Sequence, residues 1–288
     1  MKAVIKQKWK VYQNDPRSLF LFGIVCLAML LTVTAMLFLV GYILVRGIPH
    51  LSPSLFAWKY SSENVSLMPA LINTFFMTLL SLLFAVPVGI GAAIYLTEYA
   101  GRRNKLVRIV GMTAETLSGI PSIVYGLFGA LFFVKYMRLG LSLLSGALTL
   151  SIMILPLIMR TTEEALRTVP DSYREGSFGL GAGKLRTVFR IVLPSAVPGI
   201  LSGVILGIGR IVGESAALIF TAGTVAEPAE SIFDSARTLS VHMYAISGEG
   251  LYIGQTYATA VVLLVVVIVI NALSGCIAKR FGGVNTDE

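Results

Sequence analysis

The sequence predicts an all-α polytopic membrane protein with six transmembrane helices, and three observations lead there. Hydrophobic residues make up 56% of the 288 positions and charged residues only 13%, which leaves too little polar surface for a soluble globule. Six stretches are apolar over the roughly 20 residues that a helix needs to cross the hydrocarbon layer. Lys and Arg gather in one set of connecting segments, the bias that marks the cytoplasmic side of membrane proteins.

The six stretches are 19–45, 70–96, 113–134, 139–159, 196–222 and 257–278. The first is too long for the apolar core of a signal peptide and is followed by "RGIPHL" instead of a small-residue cleavage site, so it is read as a retained span. The chain therefore divides into a cytoplasmic segment 1–18, a six-helix domain 19–280 and a cytoplasmic tail 281–288. On one side lie Lys2, Lys6, Lys8, Lys10 and Arg17, then Arg102, Arg103, Lys105 and Arg108, the basic residues of segment 160–194, and Lys279 with Arg280. The other side holds only Arg46, Lys59, Lys135, Arg138 and Arg237. Both termini are expected in the cytoplasm, with membrane lipid around the spans. The net charge of +8 is thereby a matter of topology, and no nucleic-acid partner is expected. Cys26 and Cys276 lie in apolar runs without metal or disulfide spacing and are read as small buried hydrophobes. His50 and His242 have no ligand partners at a suitable spacing, so no metal is assigned.

The largest cytoplasmic segment, 160–194, reads as helix, turn, helix. Pro170 suits the first turn of a helix, Asp171 and Glu175 suit its positive end, and "GLGAG" breaks it. A second short helix, 184–192, places Leu185, Val188, Phe189 and Val192 on one face and Lys184, Arg186 and Arg190 on the other, with Pro194 closing it before the fifth span. "GLGAGKL" is no phosphate loop: Phe178 stands where that motif needs its first glycine, and Leu185 follows the lysine.

The spacing of this segment resembles the permease subunits of binding-protein-dependent ABC importers, whose loop reads Glu-Ala-Ala, three residues, Gly, nine residues, Ile, any residue, Leu-Pro. Here Glu175, Gly181, Ile191, Leu193 and Pro194 occupy those positions, while Gly176 and Ser177 replace the two alanines and stay small enough for close helix contact. The resemblance implies a type I importer permease architecture in which segment 160–194 is a coupling loop seated in a cytoplasmic ATPase subunit. It also implies that this chain binds no cofactor, with ATP and Mg held by partner subunits.

Two charges inside the fifth span ask for a purpose. Arg210 lies near the middle of 196–222, and Glu214, four residues on, is expected on the same helical face. A lipid-exposed charge costs about 2.5–3.5 kcal/mol or more, so both should face protein or water. Two readings stand: an ion pair that joins helices, or an anion anchor in which Glu214 orients Arg210 until an oxyanion takes its place. Gly199, Gly203 and Gly207, repeated at Gly209 and Gly213, predict a close-packed neighbouring helix.

"NTFFMTLLSLLFAVPVGIGAAIYLTEYA", "ETLSGIPSIVYGLFG" and "GRIVGESAALIFTAG" extend the resemblance to the PstA-type permeases of phosphate importers, from Asn73 to the C-terminus. That resemblance implies a plasma (inner) membrane subunit of a prokaryote, a homologous PstC-type second permease, two ATPase subunits and an extracytoplasmic phosphate-binding protein. It maps the family's pathway residues onto Arg210 and Glu214, with Ser215 keeping a hydroxyl for an oxyanion although the usual Thr-Ala-Pro is Ser-Ala-Ala here. Glu115, Ser118 and Ser122 are read either as helix-end polarity or as pathway and gating residues. Segment 223–254 is expected to form an apolar helical face through Ile232, Phe233, Ala236, Leu239 and Met243, as a surface helix or a docking face for a binding protein. Sulfate, molybdate and phosphonate permeases would share these features. A passive channel has no use for the coupling loop, and an intramembrane hydrolase built on Ser118 or Ser122 lacks a base within a span.

Overall fold

A computed structural model describes residues 16–100 and 105–281. Among them five helices are long and apolar enough to cross a membrane, or six when a bent pair counts as one span. No strand occurs among the described residues. Residues 1–15, 101–104 and 282–288, with most of the two terminal segments and Arg102 and Arg103, lie outside the described residues.

Helix α1 (Pro16–Gly47) presents apolar side chains almost all round to the exterior, as a helix bathed in lipid does. Its contact is with α11 (Ile253–Phe281), where Tyr42 meets Tyr257 edge to face at 5.8 Å and Gly47 packs on the Tyr257 carbonyl. Cys26 and Cys276 are both exposed, which corrects their reading as buried residues: hydropathy alone does not separate a lipid-facing position from a core one.

The core is formed by α2 (Met68–Ile94), α5 (Leu143–Thr168) and α8 (Leu193–Gly213), with Met77, Ala85, Leu150, Ile154, Ile158 and Ile211 buried between them. Glycine brings α8 against α5 as the spacing predicts. A Cβ on Gly199 would lie 2.6 Å from that of Ala165, and one on Gly203 would overlap Thr161. Gly207 is in ordinary contact range, whereas Gly209 and Gly213 face open space, so the second glycine pair packs against nothing among the described residues.

Two spans are broken where hydropathy reads them as continuous. The third is α3 (Lys105–Ser118) followed by α4 (Ser122–Gly129), with a 102° bend between the pair they form. Pro121 between them lacks an N–H and, with Gly119, ends the first helix. In the fifth, α8 stops at Gly213, Glu214 is extended (φ −75°, ψ 128°), and α9 (Ala216–Thr221) follows. Arg210 and Glu214 therefore do not share a helical face.

Segment 160–194 begins inside α5, which runs on to Thr168, so its first residues are helix rather than loop. Helix α6 (Asp171–Gly179) follows Pro170, which stands at the N-cap, and ends at a turn where Gly181 adopts φ +79°, a left-handed conformation that favours glycine. Helix α7 (Lys184–Thr187) does not stop at Pro194. It runs through a π-turn, Val188–Val192, straight into α8, giving one helix from Lys184 to Gly213. Pro194 follows directly on that π-turn, whose wider hydrogen-bond spacing makes room for a residue without an N–H inside the helix. The buried stripe of this helix is Val188, Val192, Ala196 and Ile200, at strict intervals of four, while Leu185 and Phe189 are exposed.

The last connecting segment also departs from expectation. Residues 223–238 form turns, and helix α10 (Leu239–Glu249) begins only after the N-cap Thr238. Ile232 and Phe233 are exposed while Ala236, Leu239, Val241, His242 and Ile246 are buried. The single apolar face and the surface-helix reading both give way to a helix packed into the protein.

Candidate functional site

The breaks in the third and fifth spans meet. Gly126 of α4 lies against the backbone of α9, where an added Cβ would be 2.7 Å from the Ala217 Cα, and Gly129 packs on Thr149 and Thr221. Tyr125, buried beside them, donates its hydroxyl to the Leu117 carbonyl at 2.7 Å and straps the bent third span. Arg210 lies in the last turn of α8, just before the break of the fifth span. A cation at this end of a helix is favoured by the unpaired carbonyls of the final turn.

Glu214 is buried but does not hold Arg210. Its Oε1 accepts from the Ala217 N–H at 3.1 Å, so the carboxylate caps α9, while its carbonyl accepts from the Ser240 hydroxyl of α10. No ion pair joins Glu214 to Arg210, because the helix that would have stacked them four residues apart has already ended. Arg210, half-buried, has neither hydrogen bond nor ion pair among the described residues. Ser215 is half-buried next to the break, and its side-chain hydroxyl has no hydrogen bond among the described residues.

Glu115, Ser118 and Ser122 scatter. Glu115 turns away with α3 and faces Arg160 at 3.6 Å, in an exposed pair that also contacts Glu164. Ser118 donates back to the Glu115 carbonyl at 2.8 Å, which is helix-end polarity. Ser122 starts α4 on the other side of the bend, half-buried, close to the Tyr125 strap in sequence.

In segment 160–194 Ser177 is buried and hydrogen-bonded to Thr187 at 2.8 Å, so α6 packs on α7 as a small residue allows. Gly176 faces open space and makes no such contact. Glu175 is exposed, Ile191 and Leu193 are half-buried, and Pro194 is exposed. Tyr173, Phe178, Leu180, Leu185 and Phe189 add exposed apolar surface around them, with Leu180 91% exposed.

Three residues carry more structure than the sequence reading gave them. Asn73, fully buried, donates to the carbonyls of Glu227 and Arg237 and accepts from Ala229 N–H, tying α2 to segment 223–238. Arg174 pairs with Glu98 across 76 positions of sequence. His242 sits buried against the Tyr60 ring and 3.3 Å from Arg237, whose guanidinium also lies over Tyr60. Burial first and the Arg237 charge second push His242 from 6.5 down to about 4, against a smaller opposing effect of the Val65 backbone. The folded state thus binds fewer protons than the unfolded one between those values. Stability contributed by neutral His242 is present above about pH 6.5 and is lost as pH falls toward 4, by about 3 kcal/mol in full. Thermal unfolding of the detergent-solubilised protein at pH 7.5 and 4.5 should show this acid loss, and His242→Gln should shrink the difference; an equal loss in the variant would count against it.

A polytopic helical subunit with a half-buried guanidinium between two broken spans, and a helix–turn–helix exposed at one end, is a membrane permease component. The family described as "Binding-protein-dependent transport system inner membrane component" matches residues 85–283, and the chain belongs to it. It is 34% identical to the "Probable ABC transporter permease protein YqgI" of Bacillus subtilis (strain 168), over 83% of this chain and 85% of that one. It is 30% identical to the "Phosphate transport system permease protein PstA" of Mycobacterium leprae (strain TN), over 94% of this chain and 91% of that one. A chain from the crystal structure of a bacterial alginate ABC transporter in complex with alginate pentasaccharide-bound periplasmic protein superposes with a TM-score of 0.69 at 14% identity, covering 96% of this chain and 100% of that one. That likeness carries the fold.

Proposed function

We propose that this chain is the PstA-type permease subunit of an ATP-driven importer of inorganic phosphate. The observation that carries the reading is Arg210: a permanent charge, half-buried in a membrane span, with neither hydrogen bond nor ion pair among the described residues. A half-buried guanidinium without an ion-pair partner is a site for an oxyanion, which it meets with two parallel hydrogen bonds. Ser215, across the break, supplies a hydroxyl for a third. The relatives named for phosphate transport support the choice of anion.

The remaining parts follow from the same reading. The exposed surface of α6 and α7, with Glu175, Gly181 and the neighbouring apolar side chains, seats in a cytoplasmic ATPase subunit, and two such subunits bind ATP and Mg. The exposed apolar side chains of α2, among them Phe75, Phe76 and Leu79, face a PstC-type second permease or lipid, because one set of helices cannot enclose a pathway. An extracytoplasmic binding protein delivers phosphate to the opposite face. Both termini lie in the cytoplasm of the plasma membrane. ATP binding closes the ATPase pair and moves the coupling segments, and access to Arg210 alternates between the two sides.

The test is uptake of labelled phosphate and labelled sulfate by cells lacking this chain, with other phosphate carriers disabled, before and after the chain is restored. Return of ATP-dependent phosphate uptake alone is the expected result. Return of sulfate uptake instead would overturn the substrate, and ATP-independent flux would point to a channel.

A further inference from the structure

We infer that Glu98 and Arg174 form a positioning clamp that carries the motion of the coupling helix α6 into the span α2; the inference rests on the importer reading above. Arg174 lies one residue before the coupling-loop glutamate. Its Nη2 and Nε donate to the Glu98 carboxylate at 2.7 and 3.2 Å, and both side chains are largely buried, at 15% and 8% exposed. The same guanidinium donates to the carbonyls of Leu166 at 2.9 Å and Val169 at 2.8 Å. Those carbonyls belong to the end of α5, where the last turn of a helix leaves acceptors without intrahelical donors. Nη1 also reaches Asp171 at 3.2 Å, at the start of α6.

One planar fork therefore joins three segments: the end of α2, the end of α5 and the coupling helix. Glu98 stands in a π-turn, Tyr95–Tyr99, that terminates α2, and wide turns of this kind often mark working positions in helices. A second link lies beside the first, where the Lys184 ammonium sits 5.2 Å from the centre of the Tyr99 ring. Beneath both, Ile94, Leu166, Val169, Val188 and Val192 form a closed apolar layer. The outer end of α2 is held equally firmly, by the three hydrogen bonds of Asn73 to residues 227–237. A displacement of α6 has a rigid route through α2 to that outer segment. The buried carboxylate cannot release Arg174 without being left uncompensated.

The residues touch neither ATP nor phosphate in this account, so their signature is the ratio of phosphate moved to ATP hydrolysed. The experiment compares wild type, Glu98→Gln, Arg174→Gln, the double variant and Arg174→Lys, each purified with its partner subunits and reconstituted in proteoliposomes with the loaded binding protein. Arg174→Lys keeps the charge and loses the fork, and so guards against simple misfolding. The single variants should still co-purify the ATPase and hydrolyse ATP, while phosphate moved per ATP falls about tenfold. The double variant should be no worse than either single one. An unchanged ratio, or uptake and hydrolysis falling in proportion, would overturn the clamp. Wild-type complex that moves no phosphate with ATP would instead overturn the importer reading itself.

Discussion

Arg210→Gln is expected to lower phosphate uptake by about two orders of magnitude or more, the scale on which removal of one member of a desolvated charge pair acts. Glutamine keeps most of the length and some hydrogen-bonding capacity but loses the charge and the fork. Nothing in the chain should be stranded by the change, because Arg210 has no hydrogen bond or ion pair among the described residues to lose. The variant should therefore reach the membrane and co-purify with its partners at wild-type levels. Arg210→Lys should recover only part of the uptake, since an ammonium offers a point charge in place of two parallel donors. Uptake by well-expressed Arg210→Gln equal to that of wild type would remove Arg210 from the pathway. The position of Glu214 sharpens the contrast: its carboxylate caps α9, so a change there should disturb the fold of the break as well as transport.

What the sequence made legible, and what it did not, follows from how each signal arises. Hydropathy averages over some twenty residues, so it located the spans but passed over breaks of one to three residues. The third break had its own signal in Gly119 and Pro121, a helix-ending pair inside an apolar run. The fifth had Gly213 before Glu214, and the assumption of an unbroken helix turned two residues four apart into a pair that the structure separates. Pro194 misled in the opposite direction, because the π-turn Val188–Val192 ahead of it lets the helix run on through the proline. His242 looks like a polar surface residue in one dimension, and Asn73 like a lone polar residue in an apolar span. Their burial depends on Tyr60, Arg237 and residues 227–229 arriving from elsewhere in the chain, which local pattern does not encode. The Glu98–Arg174 clamp is of the same kind, a contact between residues 76 positions apart.

Gly126→Val should prevent the two broken spans from closing on each other. At this position an added Cβ would lie 2.7 Å from the Ala217 Cα and 3.2 Å from its carbonyl oxygen. Those are backbone atoms of α9, so no flexible side chain can move aside, and the branched valine adds two further carbons. Overpacking of a closed core costs about 1–3 kcal/mol when side chains can adjust; here the whole of α9 must shift, carrying Glu214 and Ser215 with it. The expected result is a large loss of folded protein in the membrane, read as the yield of monodisperse protein after detergent extraction and as a lowered Tm. Gly209→Ala serves as the comparison, because its Cβ meets nothing within 4 Å among the described residues and alanine favours helix over glycine by about 1 kcal/mol. If Gly126→Val folds as well as Gly209→Ala, then α4 and α9 do not rest on each other. The junction of the two broken spans would then have to be held by α5, through the contact of Gly129 with Thr149.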